Sequence, residues 1–288
     1  KDLSERPWEL LRDSEGKPCH GNYDGCKFNI SSKNKIHLVG DSHMAAIMFD
    51  LKNKVVKKDY QFTTSTVCNY FPGFNLINVK TKRIDNQCNN NYFTKLKETL
   101  SNETNSIIII GGRFPAHLSN YLFDNQEGGI EGKEGKEMEE KLVSVGKYET
   151  ISNSFKNEVL ELSKNNKIIL IYPIPEVGWH VANKIWIDRK NKFSRDFDLQ
   201  YVTTSYEVYQ NRTKTSFELL DSIKNENIYR VYPHSLFCNT VLKDRCVTHD
   251  DKNLFYFDDN HPSLKGSEMI NNLIIKKINE IKNVDTAN

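Results

Sequence analysis

The sequence predicts an α/β fold of three layers, an α/β/α sandwich in which helices cover both faces of a mainly parallel central sheet. Short apolar runs that end in glycine or proline alternate with helix-compatible segments along the chain, and this alternation is typical of parallel sheets. The 288 residues suit one large domain, and no internal repeat is present. An apolar share of 38% and a charged share of 27% indicate a globular protein rather than a disordered one.

The first half of the chain supplies the first strands and helices. The run KIHLVG at 35–40 predicts a buried strand, because it is apolar and ends in glycine. The segment HMAAIMFDL at 43–51 follows immediately and consists of residues compatible with a helix. A second strand is predicted at 59–64 and an amphipathic helix at about 91–100. The run SIIIIGG at 106–112 is β-branched and ends in glycine, as a central parallel strand should.

The second half continues the alternation after one interruption. The segment at about 118–147 is glycine-rich and charged, and it predicts an exposed, mobile insertion, with which a lid and a partner-docking loop are equally compatible. Helices at about 149–163 and 203–225 are predicted to lead into strands at 167–173 and 228–233. A tail helix is predicted at about 264–281, since apolar residues recur there at helical spacing: Ile270, Leu273, Ile274, Ile278 and Ile281.

The predicted domain boundary lies before the first strand. Residues 1–34 are polar and contain two cysteines, and they are interpreted as an irregular, disulfide-containing lead-in or linker. Residues 35–288 then form the single α/β domain. Because the chain begins with Lys1, it is interpreted as a mature chain or an excised fragment, which leaves room for a membrane segment upstream.

Charge and hydropathy argue against several partners. The net charge is +2, from 40 basic and 38 acidic residues, so no strong field favours nucleic acid or an anionic membrane surface. No apolar run approaches the ~18 residues that a membrane-spanning helix needs. The expectation is a monomeric domain without cofactor or metal.

The six cysteines fall into three pairs that are local in sequence. The pairs are Cys19 and Cys26, Cys68 and Cys88, and Cys238 and Cys246. None has the spacing of a zinc site, so we interpret them as three disulfides formed in an oxidising compartment. Six unrelated buried thiols in a cytosolic protein are the alternative.

The motif GDSH joins the first predicted strand to the first helix. In a parallel sheet, ligands bind where strands end and helices begin. Ser42 therefore lies at a helix N-terminus, where free N–H groups stabilise an oxyanion that forms when the serine attacks an ester. The alternative is that Ser42 or Asp41 only caps the helix. A serine nucleophile also needs a base that a carboxylate orients.

The motif DDNHP before the tail helix offers that base. Asp258 and His261 are three residues apart, so a bent loop lets the carboxylate accept from Nδ1 while Nε2 faces outward. Pro262 ends any strand there, and Ser263 is a candidate helix cap. Two alternatives remain: a capped loop with solvated aspartates, or a metal site that adds Asp259, His249 and Asp250 to this pair.

These two motifs together resemble the SGNH/GDSL hydrolase superfamily. GDSH, the segment IPEVGW at 174–179 and the pair of cysteines shortly before FYFDDNH resemble more closely the SGNH domain fused to the C-terminus of acyltransferase type 3 membrane proteins. The match spans about residues 35–283. The resemblance implies a flavodoxin-like fold and a triad of Ser42, His261 and Asp258. Asp259 has no assigned chemistry.

The chain departs from the superfamily after its central strand. Many members carry G-x-N-D there, with the asparagine donating to the oxyanion, whereas this chain has GGRFP. Arg113 is a candidate donor to the oxyanion or to a sugar hydroxyl, and a surface salt bridge is its alternative. The backbone N–H of Gly73 is a second candidate donor. Trp179 is interpreted either as a platform for a sugar ring or as hydrophobic packing.

The resemblance implies an activity and a location. The chain is expected to be an extracytoplasmic O-acyltransferase, usually for acetyl groups, that acts on cell-surface polysaccharide such as lipopolysaccharide through an acyl-serine. An upstream membrane acyltransferase domain is expected to supply the acyl group and to tether the domain at the periplasmic or extracellular face. The alternatives are an acetylesterase of the same fold, in which water replaces the sugar hydroxyl, and a glycan-binding accessory domain without activity.

Overall fold

A six-stranded sheet lies at the centre of the computed structural model, which describes residues 6–131, 138–191 and 201–287. The strands of the described chain are β1 (Cys26–Phe28), β2 (Asn34–Val39), β3 (Tyr60–Ser65), β4 (Phe74–Asn78), β5 (Ile107–Ile110), β6 (Glu140–Ser144), β7 (Lys167–Ile171), β8 (Thr203–Ser205), β9 (Ile228–Val231) and β10 (Arg245–Val247). The α-helices are α1 (Ser42–Val56), α2 (Asn90–Ser101), α3 (Phe114–Ser119), α4 (Ile151–Leu162), α5 (Val181–Asn191), α6 (Tyr206–Ser222), α7 (His234–Phe237) and α8 (Leu264–Ala287). A 3₁₀ helix covers Pro7–Glu9.

The strand order of the central sheet is β1-β3-β2-β5-β7-β9. The last five of these strands are parallel, and β1 is antiparallel to β3 at one edge. The order of the parallel strands is that of flavodoxin-like sheets, in which the chain adds one strand on one side of the first strand and the remaining strands on its other side. The predicted fold class, a mainly parallel sheet flanked by helices, is confirmed.

Two apolar layers cover the sheet because its strands are apolar on both faces. On β5, Ile107 and Ile109 point into one layer, whereas Ile108 and Ile110 point into the other. Helices α1 and α8 cover the first face. Helices α2, α4 and α6 cover the second face. Buried polar contacts also join α1 to α8, since Asn271 Nδ2 donates to the carbonyl oxygen of Ile47 over 2.9 Å.

The segment predicted as a lead-in is part of this fold. Strand β1 extends the central sheet, with Cys26 opposite Thr64, and Leu11 and Cys19 are buried. A three-residue edge strand of sequence CKF carries too little periodicity to be recognised.

The segment at 118–147 differs from an exposed loop in its described part. Phe123 is 3% exposed, and the Asn125 side chain is fully buried, where its Nδ2 donates to the carbonyl oxygen of Val177 over 2.8 Å. Strand β6 also belongs to this segment and pairs with β4 in a small antiparallel sheet. Residues 132–137 lie outside the described residues. The glycine-rich sequence gave no sign of these buried contacts, because their partners are distant in sequence.

Three disulfide bonds join the predicted cysteine pairs. They are Cys19–Cys26, Cys68–Cys88 and Cys238–Cys246. The first joins β1 to the preceding turn, and the second holds the loop after β3 close to the start of α2. Within the described residues, no helix combines the length and the apolar character needed to cross a bilayer.

Candidate active site

Ser42 is the first residue of α1, directly after the end of β2. Asp41 caps this helix, since its Oδ1 accepts from the backbone N–H of His43 over 2.9 Å. Gly40 has φ +156°, and a Cβ there would lie 2.3 Å from the carbonyl oxygen of Gly111, so only glycine permits this turn. Because β3 and β5 lie on opposite sides of β2, Ser42 stands at the point where the strand order reverses. The cap is therefore Asp41, and the Ser42 hydroxyl has another partner.

That partner is His261. The Nε2 atom of His261 lies 2.8 Å from Ser42 Oγ, and its Nδ1 atom lies 2.8 Å from Asp258 Oδ2. A carboxylate can only accept a hydrogen bond, so this arrangement places the imidazole proton on Nδ1 and leaves Nε2 to accept from the serine. The hydrogen bonds Asp258–His261–Ser42 form a continuous line that joins residues from the two ends of the sequence.

Asp258 is held as an anion by its surroundings. Burial raises the pKa of this carboxyl, but the hydrogen bond and charge of His261 and two backbone N–H groups outweigh it and lower the pKa to about 2. Those N–H groups belong to Asn260 and His261 and donate to Oδ1 over 3.0 and 2.8 Å. Asp259 differs, because burial and the nearby charge of Asp258 raise its pKa.

A second histidine fixes the loop that carries the base. The buried His43 donates from Nε2 to Asn260 Oδ1 over 3.0 Å, and Asn260 Nδ2 donates to Asp259 Oδ1 over 2.8 Å. Burial lowers the pKa of His43 to about 4, so its ring is neutral near pH 7. The start of α1 and the DDNH loop are thus joined twice, through Ser42–His261 and through His43–Asn260.

Trp8 packs against the ring of His261, the candidate catalytic base. Its ring centroid lies 4.4 Å from that of His261 at an interplanar angle of 40°, and 5.4 Å from that of Phe257. Trp8 comes from the segment that the sequence predicted to be a linker. No motif pointed to it, although a tryptophan in an otherwise polar segment is a signal of packing.

The guanidinium of Arg113 forms ion pairs with two glutamates. Its Nε donates to Glu176 Oε1 over 2.7 Å, and its two terminal nitrogens donate to Glu131. Glu176 also accepts from Arg212 over 2.9 Å, and the opposing charges raise the pKa of Arg113 and lower that of Glu176 to about 2, although burial acts in the reverse sense. Arg113 thus forms a salt bridge, as the alternative hypothesis stated, but this salt bridge is buried and not at the surface. The backbone N–H of Arg113 donates to Asp41 Oδ2 over 2.8 Å.

Gly73 and Trp179 are also engaged elsewhere. The backbone N–H of Gly73 donates to Asn90 Oδ1 over 3.2 Å, and Gly73 does not line the pocket beside Ser42. Trp179 is half-buried against the core, and Lys184 Nζ lies 5.2 Å from its ring centroid. Its packing fits the hydrophobic alternative, and the expected donor role of Gly73 has no geometric support.

Asn69 is a buried amide in the pocket beside Ser42, and sequence reasoning did not single it out. Its side chain is 2% exposed, and neither Oδ1 nor Nδ2 has a hydrogen-bond partner among the described residues. It lines the same pocket as Ser42. A Cβ on Gly112 would lie 1.6 Å from its Oδ1, so the second glycine of GGRFP makes room for this amide. Its place in the loop after β3, the strand beside β2, was the available signal.

The pocket beside Ser42 has a volume of about 230 Å³. Besides Asp41, Ser42, Asn69, Arg113 and His117, its lining is apolar and consists of Val67, Phe71, Leu76, Phe93, Ala116, Met138, Leu142 and the Cys68–Cys88 disulfide. Burial lowers the pKa of His117, which therefore presents a neutral ring. The site combines a hydrogen-bonded serine with a small apolar chamber.

The residues of the alternative metal site are engaged in other contacts. His249 Nε2 accepts from the backbone N–H of Val202 over 3.0 Å, and Asp250 accepts from the backbone N–H groups of Lys252 and Asn253. Across residues 6–131, 138–191 and 201–287, three or more His, Cys, Asp or Glu side chains nowhere gather as metal ligands would.

Comparisons with known proteins bear on this geometry. The model of the family described as "SGNH domain (fused to AT3 domains)" matches residues 12–276. The periplasmic domain of a lipopolysaccharide acetyltransferase from Salmonella ser. Paratyphi A is similar in structure, with a TM-score of 0.56 at 15% identity over 92% of each chain. A possible lipase from Chitinophaga pinensis DSM 2588 aligns with a TM-score of 0.38 at 11% identity, over 86% of this chain and 98% of its own. No curated protein matches the sequence.

Proposed function

This chain belongs to the family of SGNH domains fused to AT3 domains, and on that premise we propose that it transfers an acyl group, chiefly acetyl, to hydroxyls of a cell-surface polysaccharide. The observation that carries the proposal is the hydrogen-bonded line Asp258–His261–Ser42, with 2.8 Å at each step. A serine hydroxyl this close to an oriented imidazole is the arrangement that acyl-transfer chemistry needs.

The reaction has two halves. In the first, His261 Nε2 takes the proton of Ser42 as Oγ bonds to the acyl carbonyl carbon, and the leaving group departs with that proton. In the second, His261 takes a proton from a sugar hydroxyl, whose oxygen attacks the acyl-serine, and returns it to Ser42 Oγ. Asp258 stays ionised throughout and stabilises the imidazolium.

Two donors are proposed for the oxyanion. The backbone N–H of Ser42 is at the first position of α1 and has no acceptor within the helix. Asn69 Nδ2 is buried, unpartnered and part of the same pocket. This assignment replaces Gly73 and Arg113, whose donors are used in other contacts, and it supplies from the loop after β3 the amide that the superfamily takes from its G-x-N-D motif.

The setting of the reaction follows from the family. The AT3 domain to which such domains are fused would deliver the acyl group, and the three disulfides fit an oxidising compartment outside the cytoplasm. The acceptor we propose is a surface glycan such as lipopolysaccharide, by analogy with the Salmonella domain.

A chromogenic acetyl ester tests the serine mechanism. Ser42→Ala is expected to lower the rate of ester cleavage by about 10³-fold or more, because the nucleophile is lost. Thr66→Ala serves as the matched hydroxyl control, since that buried threonine lies outside the pocket and contacts Met48 Sδ. Equal rates for wild type and Ser42→Ala would exclude Ser42 as nucleophile and favour the accessory-domain alternative.

The choice between transfer and hydrolysis needs an acceptor. The domain is incubated with an acetyl ester and purified surface polysaccharide, and mass spectrometry then compares acetylated glycan with free acetate. Transfer predicts glycan acetylation that Ser42→Ala abolishes. Release of acetate alone, at any acceptor concentration, would identify the domain as an esterase.

Asn69 is tested by Asn69→Ala and Asn69→Asp. Both are expected to lower kcat by about 10²–10³-fold with little change in KM, because an oxyanion donor acts in the transition state. Asn75→Ala, at an amide position in β4 outside the pocket, is the control. A normal kcat for Asn69→Ala would remove Asn69 from the mechanism.

A further inference from the structure

The apolar chamber beside Ser42 is built partly by the segment at 118–147. Leu142 lies on β6, and Met138 comes just before this strand. Both side chains line the chamber together with residues of the loop after β3. A segment that looks in sequence like a surface insertion therefore contributes to the wall of the candidate active site.

The position of this wall is fixed by backbone pairing. In the β4–β6 sheet, Leu142 stands opposite Leu76, which also lines the chamber. The backbone N–H of Met138 donates to the carbonyl oxygen of Asn120 over 2.8 Å, and that of Val79 donates to the carbonyl oxygen of Glu139 over 2.7 Å. These bonds hold the wall on both sides of its two apolar side chains, so it is a fixed boundary of the chamber.

The chemistry of the chamber suits an acyl chain better than a sugar. A sugar ring buried there would lose water from several hydroxyls, and two of the polar residues in the lining, Asp41 and Arg113, are already hydrogen-bonded to other groups. An alkyl chain gains from the same walls, because each buried methylene improves kcat/KM about fourfold at the usual transfer free energy. Asn69, the one unpartnered amide, is then left for the carbonyl oxygen.

The size of the chamber limits how much of an acyl chain it can cover. A volume of about 230 Å³ equals roughly seven groups of the ~30 Å³ that one water takes in the liquid. The pocket is partly open to solvent, so a short acyl chain fits inside it, whereas a chain of a dozen carbons extends into solvent and gains no further apolar contact there.

We propose that this chamber is the acyl-binding site and that Leu142 and Met138 set the longest acyl chain the domain accepts, about six carbons. The proposal rests on the proposed function, because it needs an acyl group on Ser42. It assigns to the insertion a role in selecting the acyl donor, in place of a lid or a docking loop.

The test uses 4-nitrophenyl esters with acyl chains of two, four, six, eight and ten carbons. For the wild type, kcat/KM is expected to fall at least tenfold between the six- and ten-carbon esters. Leu142→Ala and Met138→Ala should move this limit toward longer chains by about two carbons, and Leu142→Phe should move it toward acetyl. Opposite shifts from a smaller and a larger side chain cannot arise from general destabilisation.

Val143→Ala is the matched control. Val143 is the next residue of β6, so its side chain points to the other face, and it does not line the chamber. Its chain-length profile should be that of the wild type, although its thermal midpoint changes by a similar amount.

The outcomes separate the two proposals. A wild type that cleaves none of the esters would overturn the proposed function and this inference together. An active wild type whose chain-length limit is the same in Leu142→Ala and Leu142→Phe would overturn the inference alone. An unchanged acylation burst in Leu142→Phe, with slower transfer to the glycan, would also overturn it, because the chamber would then hold the acceptor.

Discussion

At the scale of single residues, two adjacent carboxyls in the sequence have opposite surroundings. Asp258 faces His261 and two backbone N–H groups, and its pKa is lowered to about 2. Asp259 faces the negative charge of its neighbour, and its pKa is raised. The backbone carbonyl of Asp259, in contrast, accepts from the N–H groups of Val177 and Gly178 over 2.8 and 2.9 Å. In the mechanism that we propose, Asp258 supplies a negative charge beside His261, whereas Asp259 supplies a backbone anchor.

This difference predicts unequal effects of two conservative substitutions. Asp258→Asn is expected to lower kcat for ester cleavage by roughly 10³–10⁴-fold, because the amide no longer fixes the tautomer of His261. Asp259→Asn should keep kcat within about twofold, since its backbone contacts remain and an amide oxygen still accepts from Asn260. Steady-state kinetics of the two variants decide the matter, and equal losses would contradict the assignment.

The buried glutamate predicts how stability depends on pH. Glu176 is 4% exposed between two arginines, and its pKa in the fold is about 2, below the usual ~4.3 of the unfolded chain. A lowered carboxyl pKa adds stability above the unfolded value, and this contribution is lost as pH falls from about 5 toward 2. Glu176→Gln should lower the free energy of unfolding by about 3 kcal/mol at pH 7 and by less at pH 3.

Urea unfolding at the two pH values measures this effect. Glu127→Gln is the control, because Glu127 pairs with Arg245 at a partly exposed position, and about 1 kcal/mol or less is expected. A loss for Glu176→Gln that is the same at pH 3 and pH 7 would show that the charge of Glu176 does not stabilise the fold.

The sequence was a better guide to residues that are paired by a short spacing than to residues that are paired by tertiary contacts. The spacing Asp258-x-x-His261 predicts that the two side chains can meet, and the position of Ser42 after a strand predicts that it lies at the edge of the sheet. The structure brings the three side chains together. The position of Asn69, the oxyanion donor that we propose, depends on how the loop after β3 folds against Gly112, and no local pattern encodes that contact. The sequence pointed instead to Gly73 and Arg113, whose donors make other hydrogen bonds in the structure.

At the scale of elements, strands rich in apolar residues were predictable and strands of mixed composition were not. Strands β2, β5, β7 and β9 are recognisable because each contains at least two Ile, Leu or Val residues and lies between segments of a helical pattern. Strands β1, β6 and β10 have the sequences CKF, EKLVS and RCV, and they form by pairing with neighbouring strands. The same limitation made residues 6–34 look like a linker, although Trp8 and β1 are integral to the domain.

The contact between Trp8 and His261 gives a prediction at this scale. Trp8→Ala is expected to lower kcat by roughly tenfold and to change the pH dependence of kcat/KM, because water reaches the face of the imidazole and its position is less constrained. Trp8→Phe should restore most of the rate, since a ring still covers His261.

The control is Trp186→Ala, at a tryptophan on α5 whose residue is 62% exposed. This variant should retain the rate and pH profile of the wild type. If Trp8→Ala lowers only the thermal midpoint and leaves kcat and the pH profile unchanged, Trp8 stabilises the fold without positioning His261.

At the scale of the whole molecule, the strand order and the disulfides organise the site. The sheet brings the ends of β2 and β5 together. The DDNH loop, which directly precedes α8, lies at the same edge although it is far from Ser42 in sequence. The Cys68–Cys88 bond closes the loop that contains Asn69. Covalent closure of that loop limits the conformations of the unfolded chain and holds one wall of the chamber in place.

Intact-mass measurement under denaturing conditions tests the three bonds together. Reduction should add about 6 Da, two hydrogen atoms for each disulfide, and lower the free energy of unfolding by several kcal/mol. A smaller gain in mass would show that at least one pair is not joined. Cysteines labelled without prior reduction would identify the pair.

The contact of Trp8 with His261 also determines where the polypeptide enters the domain. Pro7 is buried beside it, so the described chain starts at the rim of the candidate active site. For the transfer that we propose, a donor domain held near this point would be tethered close to Ser42, and short flexible tethers give effective concentrations in the millimolar range. Encounter between donor and serine would then be intramolecular, and its frequency would depend on tether length rather than on how much donor is free in solution.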